Sequence, residues 1–209
     1  GAFANCTAMT SVIIPNSVDT IGEYAFSGCD SLETVEIPNS LRNIGIGAFE
    51  FTPWLEAEKA KNPLVIANNI LIDGTACTGD ISVPNGVSAI AEGAFYGCTY
   101  IDTVVLPAGI EKIPKWTFAN CSNLSSVILP ETLSYIDDVA FYGCQGLKEI
   151  QIPDTVTHIG TETFYSCGFV TVDLPHKISH IGEGAFYACT ELTSITLPEK
   201  IETKKKNMF

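Results

Sequence analysis

The strongest constraint on this chain is that it aligns with itself. Phenylalanines stand at Phe3, Phe26, Phe49, Phe95, Phe118, Phe141, Phe164, Phe186 and Phe209, in steps of 23, 23, 46, 23, 23, 23, 22 and 23 residues. Prolines keep the same beat at Pro15, Pro38, Pro84, Pro107, Pro130, Pro153, Pro175 and Pro198. So do Cys6, Cys29, Cys98, Cys121, Cys144, Cys167 and Cys189, each three residues after a marked phenylalanine. Three columns that share a period of 20–50 residues are the mark of a repeat architecture.

The shared frame, L-x-x-V-x-I-P-x-x-L-x-x-I-G-x-x-A-F-x-x-C, has a physical reading. In V-x-I-P two β-branched apolar positions flank an exposed one, which predicts a short strand. The proline lacks the N–H needed to continue a ladder and ends it. The pair L-x-x-I carries the chain across the end of the coil. G-x-x-A-F-x-x-C places Ala and Cys four apart, so a short helical turn is expected there. Its first position is glycine at 22, 45, 160 and 182 but Pro114, Asp137 and Ala91 elsewhere. Proline fixes φ near −65°, so the position does not require a left-handed backbone. A single unit buries too little apolar surface to offset the entropy of ordering it; stacked units share a continuous core and fold.

Net charge is −13 with only 17% charged residues. That balance argues against nucleic acid, whose phosphates need Lys and Arg, and against an anionic membrane surface. No apolar run approaches the ~18–20 residues of a membrane span, so no direct membrane insertion is expected. No nucleophile–base pairing, zinc-helix or phosphate-loop pattern occurs, and neither an enzyme nor a cofactor or metal is expected. The frame is cut mid-unit at Gly1-Ala2-Phe3, and the apolar columns decay through Lys204-Lys205-Lys206. Polar capping units are expected at solenoid ends. The chain therefore reads as a fragment of a longer protein, with any signal or anchor outside it.

Residues 50–80 break the frame. Thr52-Pro53-Trp54-Leu55 reads as an N-cap followed by proline in the first helical turn, with a helix over 53–61 stopped by Asn62-Pro63. Leu64–Ala67 and Ile70–Asp73 flank Asn68-Asn69, which predicts a β-hairpin. Trp54 and Leu55 are expected to face the core, and Glu56, Glu58, Lys59 and Lys61 to be solvated. The 46-residue step is twice the unit, so the segment reads as a divergent coil and residues 1–209 as one solenoid.

The frame resembles the 23-residue unit of the BspA-like leucine-rich repeat proteins of bacterial surfaces, over nearly the whole chain outside 50–80. The resemblance implies a curved leucine-rich-repeat-type solenoid with a concave parallel β-sheet. With the helical turns read above on its convex side, the fold class is an α/β repeat solenoid, taken as right-handed. It also implies a cell-surface or secreted location and a protein partner, such as a host or extracellular-matrix protein. It carries over no catalytic residues.

The open columns of the strands are the leading contact face, since repeat proteins bind through their sheet. One column is mostly hydroxyls, including Thr34, Thr103, Ser126 and Thr171; the column inside V-x-I varies, with Glu36, Val105, Ile128, Gln151 and Asp173. Glu149 extends this set, and the hairpin tip Asn68-Asn69 is a second candidate edge. The seven column cysteines read as buried, reduced, small apolar residues, with Cys77 in the divergent segment as the more exposed thiol. His158 and His180 occupy equivalent columns, with His176 nearby, and read as solvated edge residues. Tyr96, Tyr142, Tyr165 and Tyr187 form a stripe beside the Phe column that either packs between turns or stacks on sugars. Three functions follow: an adhesion or recognition module, a passive spacer, or a carbohydrate-binding module. Exposed aromatic area separates the last, and a connected apolar patch on the sheet separates the first two.

Overall fold

The computed structural model describes residues 1–198, so the expected continuation at Phe209 and the lysines at 204–206 lie outside the described residues. The chain is a leucine-rich-repeat-type solenoid of parallel sheets. The V-x-I segments form one set of strands, Ser11–Ile13 with Thr34–Glu36, Gly79–Ser82 with Ile101–Val105 and Ser126–Ile128, and Thr171–Asp173 with Ser194–Thr196. All of these pairs are parallel and in column register, as in Val12↔Val35 and Val104↔Val127, apart from a shift between Gly79 and Ile81. The observed strands end one residue earlier than V-x-I, because pairing at the residue before proline would need the N–H that proline lacks; that residue still gives its own N–H to the next coil, as in Ile14 N–H to Glu36 O at 3.1 Å. Residues 150–152, expected to be a strand, are not one.

A second parallel sheet runs through the x-I of I-G, with Lys112–Ile113, Tyr135–Ile136, His158–Ile159 and His180–Ile181 side by side. Its inward isoleucines Ile113, Ile136, Ile159 and Ile181 are fully buried.

The G-x-x-A-F-x-x-C segments are not helical. They form a ribbon of turns whose amides alternate between two uses. Ala25, Ser27 and Cys29 N–H bond three residues back within the coil, whereas Tyr24, Phe26 and Gly28 N–H reach Ile46, Ala48 and Glu50 O of the next coil at 2.8–2.9 Å. Side-chain spacing alone cannot distinguish this ribbon from a helical turn, since both put Ala, Phe and Cys on one side. What decides it is the neighbouring coil, which offers half the amides an acceptor along the stack. Two residues of each ribbon adopt positive φ, as at Tyr24 (52°) and Gly28 (69°), or Trp116 (62°) and Asn120 (62°). The glycine column itself, as its prolines require, is not left-handed. Glycine is needed at Gly45 for closeness: a Cβ there would lie 2.5 Å from Glu23 N and 2.8 Å from Gly22 C.

The core is a set of vertical columns. Phe95, Phe118, Phe141, Phe164 and Phe186 stack with centroids 5.1–5.4 Å apart. Phe3, Phe26 and Phe49 form a second, shorter stack at 5.3 and 5.6 Å. Each column thiol from Cys121 to Cys189 donates to the Phe carbonyl of the unit before, as in Cys121 Sγ to Phe95 O at 3.0 Å and Cys144 Sγ to Phe118 O at 3.1 Å. A small, weak donor fits a column that must be apolar yet reach a carbonyl. All eight cysteines are free.

The divergent segment separates the two phenylalanine stacks and two buried clusters. The helix spans Pro53–Lys61 and is capped by Thr52, whose hydroxyl accepts from Leu55 N–H at 3.2 Å and donates to Phe49 O at 2.7 Å. Trp54 and Leu55 are buried as expected, and Trp54 closes the first stack edge-on to Phe49 at 4.8 Å. Gly74 covers the other stack, where a Cβ would lie 2.6 Å from Phe95 Cδ1. The hairpin is Val65–Ala67 with Ile70–Asp73, and its second strand pairs parallel with Ala89–Ile90. Two expectations fail here. Cys77 is buried, not exposed, because it takes the cysteine column's place in the divergent coil; burial pushes its thiol up to about 11. Lys59 is not solvated: its ammonium bridges Glu56 and Asp73, both at 3.4 Å, and Glu58 is half-buried.

Phe118→Ala, in the middle of the longer stack, should cost ~3–5 kcal/mol in chemical denaturation, and Phe3→Ala, 48% exposed, much less. Equal losses would mean that the rings do not form a continuous core. Timed alkylation of the native protein should label Cys6 and Cys189 first, since both are only half-buried. Cys77 should react with the slow group; early labelling of Cys77 would contradict its placement.

Candidate interaction surfaces

The outward residues of the V-x-I strands fall into separate groups. Thr34 and Glu36 lie on the first sheet. Thr103 and Val105 sit in register with Ser126 and Ile128, and Ile128 is 54% exposed beside Val105. Thr171 and Asp173 stand on the last sheet. Glu149 and Gln151 lie on the intervening coil, and there the sheet is interrupted.

The interruption coincides with the one short unit. Cys167 to Pro175 spans eight residues, where Cys144 to Pro153 spans nine. Gly168 is drawn in so tightly that a Cβ would collide with Gln145 O, and residues 149–152 leave the ladder. The Thr155 hydroxyl is buried without a partner among the described residues, whereas Ser40 and Thr132 in its column donate to Val18 O and Ile110 O at 2.7 and 2.8 Å. The result is a groove of about 740 Å³ that gathers Ser126, Ile128, Glu149, Gln151, Thr171 and Asp173. Its floor includes the buried Val127, Leu129, Ile150 and Leu174, and Glu131, Asp154 and His176 also line it.

Asn68 and Asn69 turn the hairpin with φ of 48° and 64°, and both are exposed. Asn68 Nδ2 donates to Ile37 O at 2.7 Å, which ties the tip to the first sheet rather than to the groove.

His158 and His180 are half-buried and stacked, not simply solvated. Tyr135, His158 and His180 stack at 4.1 and 4.2 Å on the second sheet, and the Lys112 ammonium lies 5.0 Å from the Tyr135 ring centre while pairing with Asp137 at 2.7 Å. His176 is exposed in the groove, apart from this stack. Burial, and then the charge of His180, push the His158 imidazole below its usual pKa, against the pull of Asp137 and Asp138. Among the described residues no group of three or more His, Cys, Asp or Glu side chains could hold a metal ion.

Tyr142, Tyr165 and Tyr187 stack on one another at 4.6 and 5.4 Å. Each ring face is covered by the next ring except at the end of the stack, so the stripe offers mainly edges. Tyr96 stands apart from it, edge-on to Trp116 at 6.1 Å.

A second groove, of about 560 Å³, was not anticipated from the sequence. Its lining includes Tyr24, Phe51, Tyr96 and Trp116 together with Glu23, Glu50 and Glu92. It lies where the turn ribbons of the two half-stacks meet. The ribbon ladder runs from Tyr24, Phe26 and Gly28 to Ile46, Ala48 and Glu50, and resumes from Gly93, Phe95 and Gly97 to Lys115, Thr117 and Ala119. The 46-residue step in the phenylalanine column was the available signal for it.

Among the described residues no helix is long and apolar enough to cross a membrane. A family model for the BspA type leucine rich repeat region matches residues 1–125, 65–142 and 111–209. A crystal structure of a leucine-rich repeat protein of T. pallidum is 36% identical over 62% of this chain and 63% of that one, with a TM-score of 0.60. One from Bacteroides ovatus is 27% identical over 94% and 51%, with a TM-score of 0.57. The pneumococcal vaccine antigen PcpA, at 20% identity over 90% and 56% and a TM-score of 0.56, shares the fold. The chain thus spans between half and two thirds of the length of these proteins. A search of curated proteins finds no match.

The histidine stack sets an expected pH dependence. His158 takes up its proton at lower pH in the folded chain than in the unfolded one. Its contribution is therefore intact above ~6.5, the ordinary histidine pKa, and is lost as pH falls through the folded value. Between pH 7.5 and 5 the urea midpoint should fall, and His158→Gln should flatten that fall. An identical slope in the variant would remove His158 as the cause.

Proposed function

We propose that this chain, which belongs to the BspA-type leucine-rich repeat family, is a non-enzymatic protein-binding or adhesion module of a bacterial cell-surface or secreted protein. The observation that carries this reading is the exposed Ile128, which lines the 740 Å³ groove beside the partly buried Val105 in register with it. A solvated spacer has no use for an isoleucine 54% exposed at the end of a strand, where any polar β-former would serve. Apolar side chains set among polar ones, over a cleft with a buried floor, fit the centre of a protein contact.

The surroundings support the same reading. Ser126, Thr103, Thr171 and Gln151 supply hydrogen-bonding groups, and Glu149 and Asp173 supply charge, around Ile128. Thr34 and Glu36, with the nearby Asn68-Asn69 tip, form a separate edge that extends the contact only for a partner long enough to reach both. The tyrosine stack supports a carbohydrate-binding reading poorly, because sugar stacking needs free ring faces. Family membership supports surface display.

The test is surface plasmon resonance of the purified chain against a panel of extracellular-matrix proteins, with Ile128→Asp and Val105→Asp as variants. Binding to at least one should weaken about tenfold or more in Ile128→Asp, as expected when a buried isoleucine is lost, with an unchanged circular dichroism spectrum. Binding that both variants retain would move the contact off this face. No binding anywhere in the panel would favour the spacer.

A further inference from the structure

We propose that the groove between the two half-stacks is a binding site for an arginine side chain presented by a partner peptide. It is separate from the V-x-I face and does not depend on it.

Gly47 and Gly93 both have positive φ, at 62° and 69°. A Cβ on Gly47 would lie 2.6 Å from Tyr24 Cδ1 and 3.0 Å from Glu50 Oε2. The Tyr24 ring and the Glu50 carboxylate therefore meet over a bare backbone. A Cβ on Gly93 would lie 2.8 Å from Ile46 Cγ1. The floor is bare where aromatic, aliphatic and acidic groups converge, and Tyr96 and Trp116 line the same cavity.

Phe51 is the residue that folding does not explain. It is 70% exposed, with a φ of 59°. Its column otherwise holds Asn5, Gly28, Gly97, Asn120, Gly143, Ser166 and Ala188, all with positive φ. Those are small residues, several of them suited to a left-handed backbone. A phenylalanine there takes on both backbone strain and an unburied ring, and it lines the groove.

Charge selects the ligand. Glu23, Glu50 and Glu92 line the groove, and none of the three forms an ion pair among the described residues. Among the described residues the one cation lining it, Lys59, is already held by Glu56 and Asp73. Aromatic rings beside carboxylates that carry no ion pair suit a cation that is flat and sheds water readily. Guanidinium stacks on rings and bonds a carboxylate through two N–H groups, which ammonium cannot do. A volume of about 560 Å³ leaves room for the arginine with its flanking backbone.

The experiment is titration of the whole chain with an acetylated, amidated Gly-Arg-Gly peptide, followed by calorimetry and by the fluorescence of Trp116. The same peptide with citrulline, and tetramethylammonium, are the comparisons. The arginine peptide should bind and quench, and the citrulline peptide should not. Phe51→Gly is the decisive variant, because glycine already occupies this column: stability should hold or rise while affinity falls about fivefold to thirtyfold. Glu50→Gln should weaken binding without unfolding. Equal binding of citrulline, no binding of arginine, or unchanged affinity in Phe51→Gly would each overturn the proposal. Tetramethylammonium binding as tightly as arginine would overturn the guanidinium assignment. None of these outcomes bears on Ile128.

Discussion

Everything in this structure depends on backbone amides that bond to a neighbouring coil instead of within the coil. A ladder between identical units can continue only if every unit returns its donors and acceptors to the same places. That demand sets the constant unit length, the straight columns and the in-register pairing. It also explains why the third side of the coil is a turn ribbon. A helix would consume all its amides internally and leave that side unlinked. The ribbon keeps only half of them at home, and accepts positive φ at two residues per unit in exchange for a third ladder.

Much of this was legible in the sequence because repetition amplifies weak signals. One Phe or one Pro says little, but columns of them say which positions are buried and where strands stop. The helix at Pro53–Lys61 and the Asn68-Asn69 hairpin were legible too, since caps and turns act over a few residues. The ribbon was not. Ala25, Phe26 and Cys29 point inward in either conformation, and the choice is made by Ala48 and its neighbours in the following coil. Cys77 was misplaced for a related reason: its role follows from the divergent coil filling the cysteine column two residues late, which spacing alone did not register.

The candidate surfaces show the same division. The outward identity of Ile128, Gln151 and Asp173 followed from strand alternation. Their gathering into one groove did not, because it depends on the eight-residue span from Cys167 to Pro175 acting on the preceding coil. Both grooves arise where the beat is broken, by one residue in one case and by a whole divergent unit in the other. A perfectly periodic stack would present a uniform surface; irregularity supplies concavity.

The divergent coil has a mechanical consequence. Tension along the axis of the stack is shared by three ladders in the regular coils. Across residues 50–80 the direct links from the first half-stack are far fewer, among them Trp54 N–H to Leu32 O, Asn68 Nδ2 to Ile37 O and Glu92 N–H to Ile44 O. The two phenylalanine stacks do not touch across it, being closed by Trp54 on one side and Gly74 on the other. A rod built this way is stiff within each half and compliant at the join. Pulled from its ends, it yields first at the divergent coil, whose hairpin strand Ile70–Asp73 gives Leu71 to one core and Ile70 and Ile72 to the other.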